Sequence, residues 1–184
     1  LEGLKLGGER KEATVLFSDI RGFTSMSEKM EPEDVVNLLN TYYDKKTEII
    51  QNFGGDIDKF VGDEVMAIFK GDQMANQAVD CAVEIQAEIQ RLNRELGKNI
   101  EIGIGINSGS MVMGAMGSKD RMDFTVIGDN VNLASRLCSA AKAGEVIISE
   151  NTEKLLVDTN SKMIKLDPIQ VKGKEKPIQI YRVE

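Results

Sequence analysis

Histidine and tryptophan are absent from the 184 residues, cysteine occurs twice and proline three times. The absence of histidine excludes a Ser-His-Asp triad, a Cys-His nucleophile pair and any His-ligated zinc or iron centre. Cys81 and Cys138 stand singly in helical patterns without C-x-x-C spacing. They read as buried free thiols of a reducing compartment, and no disulfide follows from them. No apolar run approaches the ~20 residues of a membrane span and no signal peptide opens the chain, so the expectation is a cytoplasmic segment without membrane contact. Basic residues number 23 against 30 acidic ones, a net charge of −7, which argues against a general binder of nucleic acid or anionic membrane. Metal chemistry in such a chain rests on oxygen ligands, which points to magnesium or manganese.

What is present is an ordinary globular composition, 41% hydrophobic and 29% charged, in a length suited to one well-buried domain. Leu1 to Glu12, with three glycines and many charges, reads as a linker stub, leaving 13–184 as a single domain. The apolar run Ala13–Phe17 predicts a strand, and Ser25–Met30 a helical turn. A long helix starts near Pro32, and Val35, Leu38, Leu39, Tyr42, Ile49, Ile50 and Phe53 form its core stripe before Gly54-Gly55 stops it. Asp56–Phe69 predicts two short strands around a turn at Gly62-Asp63, with Ile57 and Val61 on one face and Phe60 on the other. Lys59 is expected on the face of Ile57. A second helix is predicted over Gln73–Leu96.

Ile100–Asn107 alternates isoleucine with Glu, Gly, Gly and Asn, a strand whose second face is bare enough for another backbone or a ligand to approach. Met111–Met116 is expected as a separate strand, Phe124–Ile127 as another, and Asn130–Ala141 as a helix. Val146–Ile148, Met163–Lys165 and Ile178–Val183 read as later strands, with a helix near Thr152–Val157. The order β-α-α-β-β-α-β over 13–109 predicts an α+β fold, a ferredoxin-like core with an antiparallel-rich sheet backed by helices. The hairpin is apolar on both faces, so something must cover the second one, and a second copy of the chain is the simplest candidate.

The organising stretch is Phe17-Ser18-Asp19-Ile20-Arg21-Gly22-Phe23-Thr24. A strand delivers a carboxylate into a glycine-containing loop just before a helical turn. A fixed negative charge therefore meets backbone N–H groups free to face an anion, a combination suited to a polyphosphate carried by a divalent cation. Asp63, at the tip of the hairpin, is placed to share metal with Asp19. Turn-capping acids are the bland alternative, and spacing alone leaves the two readings about even.

FSDIRGFT, DKFVGDEVMA, IGIGINSG, RMDFTVIGDNVNLASR and VKGK occur in an order that resembles the class III nucleotidyl cyclase catalytic domain, of the bacterial adenylyl cyclase type. The resemblance runs from about Gly8 to the C-terminus. It implies conversion of ATP to 3′,5′-cyclic AMP and pyrophosphate, with two Mg²⁺ or Mn²⁺ ions held by Asp19, Asp63 and the Ile20 carbonyl. Gly22, Phe23 and Thr24 would cradle phosphates through backbone amides. Lys59 and Thr125 would read the purine, Lys172 the triphosphate, Asn132 the ribose, and Arg136 the charge developing on the α-phosphate.

Adenine offers an acceptor at N1 and a donor at N6, so Lys59 donating and Thr125 accepting fit it. A guanine reader would want an acid at these positions. Thr125 departs from the mammalian adenylyl pattern, where aspartate is usual, and is similar to many bacterial enzymes. In the family the metal carboxylates of one subunit face the purine and transition-state residues of the other, which implies a homodimer. The linker stub at Leu1 to Glu12 adds the expectation of a catalytic piece of a larger protein with N-terminal sensor domains. The alternatives are a guanylyl cyclase, opposed by Lys59, and a catalytically silent nucleotide-sensing module. A diguanylate cyclase is disfavoured because Gly54-Gly55-Asp56 lies wrongly relative to Asp63.

Overall fold

The computed structural model describes residues 7–184. Its elements are β1 (Gly7–Ile20), α1 (Phe23–Glu28), α2 (Pro32–Asn52), β2 (Asp56–Val61), β3 (Glu64–Phe69), α3 (Met74–Leu96), β4 (Ile102–Gly117), β5 (Met122–Ile127), α4 (Asp129–Ala140), β6 (Val146–Ser149), α5 (Glu150–Leu155), β7 (Met163–Lys165) and β8 (Ile180–Val183). The sheet has eight strands in the order β2-β3-β1-β4-β6-β8-β7, with β5 also paired to β4. Every pairing is antiparallel except β4 with β6. This is the expected α+β architecture with an antiparallel-rich sheet.

Pattern explains most elements. Pro32 sits in the first turn of α2 with Glu33 and Asp34 beside it, where acids face the positive end of the helix dipole. Gly97, at φ 65°, terminates α3 in the left-handed conformation that glycine adopts without strain. The buried faces of both helices pack with Leu16, Ile20, Val65, Ala67, Phe69, Ile102, Ile104 and Ile106 on one side of the sheet.

Four expectations change. Of the segment 1–12 read as linker, 1–6 lie outside the described residues and 7–12 are strand: β1 pairs with β4 without a break from Gly7↔Ala115 to Ile20↔Ile102. Its charged, exposed residues hide a strand signal that only the partner supplies. For the same reason the two strands expected over Ile100–Asn107 and Met111–Met116 merge into one, β4, which begins at Ile102 rather than Ile100, since β1 carries the ladder across Ser108-Gly109-Ser110.

The second sheet face is also not left wholly to another molecule. Helix α4 covers part of it, packing Val131, Ala134 and Cys138 against Val15, Phe17, Met66, Ile68, Met111, Met113 and Val126. The bare face of β4 receives the α4 backbone, because a Cβ at Gly105 would strike Cys138 N and the Leu137 and Ala134 carbonyls. The fourth change is in the hairpin. Ile57 opposes Ala67 but Lys59 opposes Met66, so Asp58 is the extra residue of a β-bulge. Directly opposed residues share a face. Ile57 and Phe60 therefore lie on the α2 side, where Phe60 meets the Tyr43 ring at 4.7 Å. Lys59 and Val61 lie on the other side.

One charge is sealed in the core. Lys46 of α2 is 1% exposed and its ammonium has no hydrogen-bond partner among the described residues. Burial pulls its pKa from 10.5 to about 8, against the opposing pull of Cys138, Asp63 and Asp19. Below about pH 8 the folded chain bears the full cost of the buried cation. Between that pH and 10.5 the unfolded chain binds a proton that the folded chain has released, so this group's contribution to stability rises with pH.

Two outcomes are expected. Lys46→Met should raise stability in metal-free buffer at pH 7 by up to ~3 kcal/mol, an advantage that falls by more than half by about pH 9.5, as read by denaturant unfolding at both pH values. Gly105→Ala should cost ~2 kcal/mol or more by forcing α4 off the sheet, seen as a lower urea midpoint with an unchanged m-value.

Candidate active site

Strand β1 ends by placing Asp19 opposite Gly103 in the ladder. The missing side chain there leaves room for Arg21, whose guanidinium occupies the space a Cβ would fill. Arg21 Nη1 lies 2.7 Å from Asp19 Oδ1. Its Nη2 donates to the Cys138 carbonyl in the last turn of α4, where a cation meets the negative end of the helix dipole. The ion pair is close but poorly aligned, and Asp19 Oδ1 and Arg21 Nε both stay buried without a directed hydrogen bond.

Asp63 reaches the same place from the β2–β3 turn, which Gly62 makes at φ 59°. Its Oδ2 accepts a hydrogen bond from the Ile20 N–H at 2.8 Å. The two acids, 44 positions apart in sequence, are thus tied to adjacent backbone. Burial pushes the Asp19 carboxyl above its ordinary value; Arg21 pulls it down, Asp63 pushes it up and Lys46 pulls it down again. Glu64 is likewise raised, by burial and then by the charges of Asp19 and Asp63. The charge of Asp63 thus makes ionisation of both Asp19 and Glu64 costlier, a cost that a divalent cation would relieve, although among the described residues no group of three or more acidic or thiol side chains is gathered to hold one. Of the groups expected to bind metal, Asp19 and Asp63 are the two acids brought together here, through the Ile20 backbone.

Gly22, at φ 69°, is the left-handed residue between Arg21 and α1, and Phe23 and Thr24 form the first turn of that helix. Gly22 and Thr24 are exposed and Phe23 is half-buried against the α2–α3 core.

A second grouping forms elsewhere. Lys59 Nζ lies 3.3 Å from Thr125 Oγ1, bringing β2 and β5 together although three strands separate them in the sheet order. Both line an open cavity of about 600 Å³ with Asp58, Asp123, Phe124 and Ile127. Asn132 and Arg136 stand one turn apart on the exposed side of α4, and neither side chain bonds another described residue. Lys172 is exposed in the turn after the buried Val171. Its neighbour Lys174 lies 3.9 Å from Asp129, so this turn sits beside the start of α4. The sequence-derived residues therefore form two clusters, Asp19/Asp63 and Lys59/Thr125, plus two outward-facing groups.

Sequence reasoning passed over Lys46, Glu64, Arg21 and Asp58. Lys46 had a signal: it fills the one gap in the α2 stripe, a turn after Tyr42 and a turn before Ile49 and Ile50, all buried. Arg21 and Asp58 had none, because a bulge and a ladder partner place them.

The chain is 38% identical over its full length to an adenylate cyclase of Anabaena cylindrica, spanning 39% of that protein. The crystal structure of the adenylyl cyclase CyaB from P. aeruginosa superposes with a TM-score of 0.92 at 42% identity, covering 97% of this chain and 96% of that one. The guanylyl cyclase Cya2 superposes with a TM-score of 0.91 at 38% identity, covering 97% and 94%. The family model for the adenylate and guanylate cyclase catalytic domain matches residues 8–184, and the chain belongs to that family.

Proposed function

We propose that this domain is an adenylyl cyclase that converts ATP to 3′,5′-cyclic AMP and pyrophosphate. The observation that carries the base assignment is the Lys59–Thr125 contact, one donor and one acceptor side by side in the cavity. Adenine needs that pair. Similarity of fold does not choose between purines, since an adenylyl and a guanylyl cyclase superpose almost equally well. The donor at position 59 does.

Asp19, Asp63 and the Ile20 carbonyl would hold Mg²⁺ or Mn²⁺, two ions per site, which supply acidification of the ribose 3′ hydroxyl and neutralisation of the triphosphate. Three protein ligands are fewer than such a cation takes, and phosphate oxygens would complete the set. The backbone amides of Gly22, Phe23 and Thr24 would receive phosphate oxygens at the turn that Gly22 opens. The 3′ oxygen attacks the α-phosphorus in line, its proton passes to solvent, and the bond to the pyrophosphate oxygen breaks. Asn132 would orient the ribose. Arg136, planar and permanently charged, would stabilise charge developing on the α-phosphate, and Lys172 would hold the triphosphate.

These groups form separate clusters in one chain, and the active unit we propose is a homodimer whose sites combine the acids of one protomer with the Lys59, Thr125, Asn132 and Arg136 set of the other. Val61, Met116, Phe124 and Ile127 are each 45–59% exposed apolar residues of β2, β4 and β5, the surface such an interface would bury. No described helix is long and apolar enough to cross a membrane. The chain spans 39% of its Anabaena relative, in keeping with a catalytic piece of a larger protein carrying N-terminal sensor domains. A cytoplasmic location is part of the same proposal.

Pure protein incubated with ATP or GTP and Mn²⁺ should yield cyclic AMP from ATP in preference to cyclic GMP from GTP; nucleotide bound but never cyclised would instead indicate a silent sensing module. Asp19→Ala and Asp63→Ala should each abolish turnover, and near wild-type activity with magnesium in either would remove the metal assignment. Asp19→Ala and Arg136→Ala chains, each inactive alone, should recover activity when mixed, because random exchange leaves about a quarter of all sites intact in a two-fold dimer. No recovery under conditions that demonstrably exchange subunits would rule out the shared site.

A further inference from the structure

The bulge in β2 does more than turn Lys59 over. The extra residue is Asp58, whose side chain is 2% exposed although it lines the mouth of the purine cavity. Its Oδ2 lies 3.5 Å from Lys59 Nζ and makes no aligned hydrogen bond. The same ammonium lies 3.3 Å from Thr125 Oγ1 on its other side. Lys59 is 48% exposed. A buried carboxylate thus sits beneath a half-exposed ammonium that a hydroxyl contacts from across the cavity.

We infer that Asp58 is a positioning residue for purine recognition: it holds the Lys59 ammonium beside Thr125, so that the donor stands ready where the base edge enters. The inference rests on the assignment of Lys59 and Thr125 to the base.

Three features converge on it. A lysine carries four rotatable carbons and is otherwise free to swing into solvent, so a donor fixed before binding avoids ordering that side chain when the base arrives. A carboxylate buried to this degree persists only beside a cation, and Lys59 is the cation that lowers the Asp58 carboxyl against the upward push of burial. The acid is also spent. A guanine reader needs a carboxylate open to N1–H and N2–H, and Asp58 is covered and faces Lys59, so Asp58 itself does not serve that role. Alternation without the bulge would place Lys59 on the opposite face of the strand, away from Thr125.

The test is a double-mutant cycle on the purified chain with 3′-deoxy-ATP and 3′-deoxy-GTP, which bind but lack the attacking hydroxyl. Asp58→Asn keeps the shape of the side chain and removes its charge. It should weaken 3′-deoxy-ATP about tenfold and leave 3′-deoxy-GTP within about twofold, and add nothing in a Lys59→Ala background. In turnover the KM for ATP should rise while kcat stays within about threefold. Equal loss for both nucleotides, or a loss that persists undiminished in Lys59→Ala, would show a merely structural role and overturn the inference.

A nucleotide-free arm separates this from the base assignment. The ¹⁵N ammonium resonance of Lys59 should be slowly exchanging in the wild type and lost to fast exchange in Asp58→Asn. A resonance indifferent to Asp58→Asn overturns the positioning role, whereas a wild type without preference for 3′-deoxy-ATP overturns the base assignment on which the role depends.

Discussion

The ladder between β1 and β4 carries the molecule. Fourteen registered pairs run from Gly7↔Ala115 to Ile20↔Ile102, and nearly every functional placement descends from that register. It sets Asp19 against Gly103, which makes room for Arg21, and it turns Gly105 towards α4, which lets that helix lie on the sheet by its backbone. A slip of one residue would exchange the two faces of one strand relative to the other. Either the isoleucines of β4 now packed under α2 and α3 would then face α4, or Asp19 would turn into the core.

Around the end of that ladder the protein assembles charge at a cost. Asp19, Asp63 and Glu64 crowd one another, and burial alone would favour protonation of Asp19 and Glu64. Two cations oppose this from inside the chain, Arg21 by contact and Lys46 through the core. Arg21 also reaches the C-terminal turn of α4, the helix that displays Asn132 and Arg136. The acid cluster is therefore braced against the element that carries the outward-facing polar groups, and the brace is electrostatic rather than apolar. Such an arrangement keeps carboxylates gathered and ionisable in a half-buried place, the state a site for a divalent cation requires.

Several features were legible from residue pattern because they rest on local physics. The α2 and α3 stripes follow helical period, and the alternation of isoleucines in β4 follows the pleat. The Gly62-Asp63 turn follows from glycine at positive φ, and the bare face of β4 from the absence of Cβ atoms at Gly103 and Gly105. Others were hidden because they depend on a partner. The start of β1 consists of charged, exposed residues that become strand only beside Met111–Ala115. Alternation misplaced Lys59, since a single unpaired residue at Asp58 reverses every face that follows it, and composition carries no mark of a bulge. The covering of the second face by α4 was missed for a related reason: an apolar face states that something must cover it, and does not say what.

The amino-acid sequence by itself determined which groups are available: oxygen ligands without histidine, a donor at Lys59, an acceptor at Thr125, and an order of motifs that identifies the family. It also determined the period of each long element, because side-chain spacing along a helix or strand is a property of the local backbone. Tertiary structure decided which of these groups meet. Asp63 reaches Ile20 across 43 positions, and Lys59 reaches Thr125 across 66. Both encounters depend on how strands register, bulge and curl, and those are set by the sum of contacts over the whole sheet rather than by any stretch that can be read alone.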